Sequence, residues 1–178
     1  LGGFIVGRER AATRAVLVDI GASINLHGSM WLWGLNSEVL VPNGLVYSSS
    51  PGRPSIGGVG KGQQQSSRLR HVPSAILAQD RWGRKVVLYA TFHSHEIEGS
   101  TPALWCLASI LDWKGNVLTD DAMVHVTLGD DEYWIFCEMT NSGHMLMPID
   151  YWDPATAVRE YQKSSLSFHS EERLVDLY

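Results

Sequence analysis

An all-β domain is what this sequence predicts, and three observations carry the expectation. Short apolar or alternating runs recur along the chain, Gly, Pro, Ser and Asn punctuate them, and the stretches of helical composition are brief. In chain order, Phe4-Ile5-Val6 and Val16-Leu17-Val18 read as strands, and a short helix is expected around residues 30–34. Residues 48–54 form a turn-prone loop, and the glycines at 57–62 (Gly-Gly-Val-Gly-Lys-Gly) suit neither a helix nor a packed strand centre, so a mobile hairpin tip is expected there. Strands follow at 72–77 and 85–92, then a helix at 107–113 stopped by Gly115, then strands at 123–128 and 133–137. Beyond Tyr151 the pattern changes: Asp153 is placed to cap a helix with Pro154 at its first position, and residues 155–163 are good helix formers. Residues 1–152 are therefore expected to form one β domain, and residues 153–178 a helical or disordered C-terminal tail outside it.

Composition narrows the partners. At 178 residues and 44% hydrophobic, the chain is long enough for one domain with a real core. Charged residues are 19% and the formal net charge is −5, which offers no electrostatic footprint for nucleic acid or an anionic membrane. A peptide or another protein is the expected partner. Cys106 and Cys137 stand in no Cys-x-x-Cys or His-rich spacing, so neither a zinc site nor a disulfide framework is indicated, and an intracellular, cytoplasmic setting is expected. No run reaches the roughly 20 apolar residues of a membrane span. The first ten residues lack the layout of a signal peptide, and the opening Leu1 suggests a fragment or a piece of a larger polyprotein.

Chemistry concentrates in Val16-Leu17-Val18-Asp19-Ile20-Gly21-Ala22-Ser23, an apolar strand that runs into an acid followed by small residues. A carboxylate there is costly unless something uses it. Two aspartates brought together at a subunit interface share one proton, because like charges that close cannot both ionise, and the pair can hold and activate water. Gly21 frees a backbone N–H to fix the carboxylate, and the small residues let two such loops approach. The other reading of the same residues is an aspartate that merely ends a strand in a turn. The sequence holds no second Asp-x-Gly after an apolar strand and no internal repeat.

Four further segments follow Asp19 in a telling order: Pro54-Ser55-Ile56-Gly57-Gly58-Val59-Gly60-Lys61-Gly62, the strand at 86–92, Pro102-Ala103-Leu104-Trp105-Cys106-Leu107-Ala108-Ser109-Ile110-Leu111, and Ser142-Gly143-His144-Met145-Leu146-Met147-Pro148. Taken with the Asp19 segment, the set resembles the retropepsin-like aspartic protease domains of retroelement polyproteins, of the type found in protists and dinoflagellates in particular, over roughly residues 15–152. The resemblance implies a closed, β-barrel-like half with one short helix near residues 107–111, working as a homodimer. It implies Asp19 as the catalytic residue, Ile20, Gly21 and Ala22 as the active-site loop, and Gly57, Gly58, Val59 and Gly60 as the flap over a peptide or polyprotein substrate. Neither metal nor cofactor is implied. The chain departs from the family pattern at Ile20, where Thr or Ser usually offers a hydroxyl across the dimer axis, and at Cys106, where the family's apolar-apolar-Gly strand has glycine. Loss of such a hydrogen bond costs about 1–3 kcal/mol per site, and added volume in a tight position about as much. A catalytically decayed dimerisation or peptide-binding module is therefore the alternative.

Other signals carry less. The glycines around Lys61 lack the Gly-x-x-x-x-Gly-Lys-Ser/Thr of a phosphate-binding loop. His93-Ser94-His95-Glu96 puts two imidazoles on one face if extended, yet no third ligand follows at a familiar spacing, and a solvent-facing loop is expected there. Ser142 and His144 lack a nucleophile elbow. Trp31 and Trp33 are candidates for lining a substrate cleft.

Overall fold

A computed structural model describes residues 14–52 and 68–169. The protein is mostly β-sheet. In chain order its elements are β1 (Ala15–Asp19), β2 (Leu26–Gly28), α1 (Ser29–Leu35), β3 (Ser48–Ser50), β4 (Arg68–Asp80), β5 (Lys85–Ile97), β6 (Leu104–Cys106), α2 (Leu107–Asp112), β7 (Asn116–Leu118), β8 (Met123–Leu128), β9 (Asp131–Phe136), β10 (Glu138–Met139), β11 (Met145–Pro148), α3 (Ala157–Lys163) and β12 (Leu166–Phe168). A π-helical turn (Asn36–Leu40) and a 3-10 turn (Val41–Asn43) extend α1. The expected strand at 72–77 is the centre of β4 and that at 85–92 the first part of β5, two thirteen-residue strands joined by a tight hairpin. Asp80 fixes that hairpin by accepting from the N–H groups of Trp82 and Arg84, and Gly83 supplies its positive φ of 80°.

Strand order across the described sheet is β10-β11-β1-β6-β2-β5-β4-β9-β8-β7, with β12 added to β5 and β3 to β4. The sheet curls until the segment after β11 meets the middle of β4. There Ala75 donates to the Ile149 carbonyl at 2.9 Å, and Tyr151 donates to the Ala75 carbonyl at 3.1 Å. Curling places one apolar face inside, where Val16, Trp31, Leu35, Val72, Phe92 and Met147 share a single core. At the crossing of β2 with the loop after β5, the Gly28 N–H donates to the Thr101 carbonyl at 2.8 Å. A Cβ at Gly28 would come within 2.6 Å of the Thr101 nitrogen, so glycine is what lets these backbones meet.

The described part of the segment expected to lie outside the domain, residues 153–169, is built into it. β12 pairs in parallel with β5, and Phe168 is fully buried, stacked on Trp113 at 3.8 Å between ring centroids and edge-on to Trp105 at 5.0 Å. α3 packs through Ala157 and Tyr161, whose hydroxyl meets that of Thr91 at 2.7 Å. The physical reason is the apolar residue at the end of a polar segment: removing a phenylalanine from a core costs about 3–5 kcal/mol. The helix also begins later than its composition suggests. Asp153 opens a turn, accepting from Ala155 and Thr156, and regular helix starts at Ala157.

Candidate functional site

Asp19 is the last residue of β1, an interior strand of the curled sheet between β11 and β6. Its neighbour β6 runs parallel to it, with Leu17 beside Leu104, Val18 beside Trp105 and Asp19 beside Cys106. Parallel pairing brings the ends of both strands to the same place, so the Asp19 turn and the start of α2 leave the sheet together. The turn is tight. Gly21 donates its N–H to the Asp19 carboxylate at 2.9 Å, Ala22 donates to the Asp19 carbonyl at 3.2 Å, and the Ala22 carbonyl accepts from Leu107 at 3.3 Å. A Cβ at Gly21 would stand 3.3 Å from the carboxylate oxygen that Gly21 now holds. The carboxylate is half-buried and, among the described residues, belongs to no ion pair.

Apolar side chains surround this turn in solvent. Ile20 is 62% exposed, while Leu107 and Leu111, one helical turn apart on α2, are 40% and 60% exposed. Cys106, in contrast, is fully buried as a free thiol, and its backbone opens α2 in an extended conformation. Trp31 is a core residue whose ring N–H donates to the Ala15 carbonyl at 3.1 Å, and Trp33 is exposed on the surface of α1. Gly57, Gly58, Val59 and Gly60 lie outside the described residues.

The segment His93-Ser94-His95-Glu96 is not a solvent-facing loop. It is the end of β5, with Ser94, His95 and Glu96 buried, because β2 joins that edge of β5 and β4 covers the other. Glu96 sits in a packed ionic cluster. Its carboxylate accepts from Arg70 at 2.8 Å and lies 3.5 Å from the His27 ring, whose other nitrogen meets the Ser94 hydroxyl at 2.8 Å. The His27 ring beside it, and then the Arg70 guanidinium, hold the Glu96 carboxyl down at about 2 against burial, which acts the other way. Burial keeps His27 below its ordinary value. A neutral His27 with its proton toward Glu96 and its free nitrogen toward Ser94 satisfies both contacts.

Asn25 escaped the sequence reading. Its amide nitrogen donates to the carbonyls of His93 (3.1 Å) and His169 (2.8 Å), and its oxygen accepts from the Cys106 N–H at 2.8 Å. One buried side chain thus ties β5, the end of β12 and the segment beside Asp19. The signal available was a polar residue between Ile24 and Leu26, in a run whose apolar partners are buried.

Among the described residues no three His, Cys, Asp or Glu side chains form a group that could hold a metal ion, and no helix is long and apolar enough to cross a membrane. Two clefts are described, of about 510 Å³ beside α2 and β12 and about 170 Å³ at the β4–β5 hairpin, and Asp19 lines neither. No family model, curated protein or solved structure matches this chain.

Proposed function

We propose that this chain is one half of an aspartic-type endopeptidase of retropepsin kind, in which Asp19 and its counterpart from a second copy form the catalytic dyad and the substrate is a peptide or a retroelement polyprotein. One observation carries the reading: Asp19 ends an apolar strand in a turn whose Gly21 N–H orients the carboxylate at 2.9 Å, while its remaining acceptor sites are open. The exposed Ile20, Leu107 and Leu111 around it supply apolar surface of the sort a second copy would cover.

In the dyad one carboxylate takes a proton from water as the water attacks the scissile carbonyl, and the other, protonated, donates to the carbonyl oxygen. The reaction uses no metal or cofactor. The alternative, a decayed peptide-binding or dimerisation module, draws on Ile20, which has no hydroxyl to offer across an axis, and on Cys106, whose side chain fills space beside the loop. Cleavage of a mixed peptide library at mildly acidic pH separates the two. The protease reading expects pepstatin-sensitive cleavage that Asp19→Asn removes. Cleavage that survives Asp19→Asn would place the chemistry elsewhere, and no cleavage by either protein would leave the module.

A further inference from the structure

Three imidazoles stand in a row across three neighbouring strands. His71 of β4 is paired opposite His93 of β5, and β12 runs in register with β5 as far as Phe168 beside Phe92, which brings the next residue, His169, beside His93. The Nδ1 atoms of His71 and His93 are 2.6 Å apart. The rings of His93 and His169 stack at 5.7 Å between centroids, with planes 17° apart. The row begins on the Ser50 hydroxyl, 2.9 Å from His71 Nε2, and ends on the Asp112 carboxylate of α2, 3.8 Å from His169 Nε2. Asp112, Lys114 and His169 line the 510 Å³ cleft, which opens that end of the row to solvent. Arg70 and Glu96 occupy alternate positions of β4 and β5 and face the other side of the sheet, and His95 lies on the row's own side, buried, two residues beyond His93.

We propose that this row is an acid-operated latch on β12, in which protonation of neighbouring imidazoles parts His93 from His169 and releases β12 from β5. A contact of 2.6 Å between two Nδ1 atoms holds a single N–H, which one ring donates and the other accepts; when both rings are protonated, two N–H groups face each other and the contact fails. Asp112 favours a proton on His169, so a second charge on the stacked His93 meets repulsion across the stack. The weakest joint yields. β4 and β5 are paired at twelve positions, whereas β12 meets β5 at three, and the stack lies at that shorter joint. Burial already holds His71 below its ordinary 6.5, so His71 favours its neutral state and its contact with His93 strains as the pH falls below that value. The released strand is the one that Asn25 ties to the Cys106 amide beside Asp19, though the latch stands whatever Asp19 does.

Amide exchange of the full chain, corrected for intrinsic rates and compared between pH about 7.5 and about 5, tests the latch. Protection of Leu166, Ser167 and Phe168 should fall about tenfold or more relative to Ile76 and Leu88 at the lower pH. His71→Gln and His93→Gln should each retain most of that protection. Should either variant fail to fold, histidine resonances of the wild type serve instead, with His71 expected to titrate below 6.5 as the strand is exposed. Protection of β12 that tracks the core at both pH values, or a loss that both variants reproduce unchanged, would overturn the proposal, as would exposure with no histidine titrating alongside it.

Discussion

Asp19 and Glu96 are both carboxylates at the ends of strands of one sheet, and their surroundings are opposite. Glu96 is buried, faces Arg70 at 2.8 Å and His27 at 3.5 Å, and has its carboxyl pulled to about 2. Asp19 is half-buried, bonded through its side chain to the Gly21 N–H two residues on, and ringed by exposed apolar groups. A structural carboxylate is surrounded by partners because an unpaired buried charge is costly, whereas one kept for chemistry must leave acceptor sites open. The contrast marks Glu96 as a residue of stability and leaves the proposed role of Asp19 to be tested separately.

The largest effect expected is from Glu96→Ala. Deleting one partner leaves Arg70 and His27 without their shared carboxylate, and breaking a buried pair in this way costs about 3–5 kcal/mol, read from urea denaturation. A loss below about 1 kcal/mol would show that the cluster is solvated and would erase the contrast. Acid should reach the same cluster. The Glu96 carboxyl is lowered from 4.5 to about 2, so its contribution is present above 4.5 and drains away as the pH falls toward 2, on the order of 3 kcal/mol in all. His27, lowered from 6.5 by burial, adds a loss that begins as the pH drops below 6.5, since the unfolded chain takes up the proton first. Thermal midpoints across this range should fall steadily below 6.5, and a flat profile down to pH about 3 would contradict both shifts.

On the Asp19 side the effects fall on association. Under the proposed dimer, Ile20→Thr restores a cross-axis hydrogen bond in each copy, about 0.5–1.5 kcal/mol apiece, and tightens the dimer by about one to two powers of ten. Sedimentation across concentrations measures this. Combining it with Cys106→Gly should give a non-additive result, because Cys106 is the register partner of Asp19 and both changes act on one neighbourhood. The smallest effect expected is on the fold of Asp19→Asn, within about 0.5 kcal/mol, because its single side-chain bond is to a nearby amide that an Asn oxygen also accepts. A loss as large as that of Glu96→Ala would make Asp19 a structural residue.

Much of this was legible in the sequence, for identifiable reasons. The apolar runs at β1, β4, β5, β8 and β9 and the two short helices stand where alternation and composition placed them, since those signals are local. So is the Asp19 turn, where an acid, a small residue two positions later and a hydrogen bond between them fit within three residues. What was not legible depends on distant partners. His27, Arg70 and Glu96 lie far apart in the chain and meet because β2 and β4 flank β5, and nothing near Glu96 in sequence announces that burial. The same holds for Phe168, whose place among Trp105, Trp113 and Phe92 is a tertiary fact that a polar, helix-forming segment conceals.

Cleavage rate per chain, followed with sedimentation over the same concentrations, tests the central claim most directly. Two copies of Asp19 making one site predict a rate per chain that rises with concentration, levels off as the dimer saturates, and vanishes in Asp19→Asn while the fold persists. A fully active monomer, or cleavage that continues in Asp19→Asn, would contradict it.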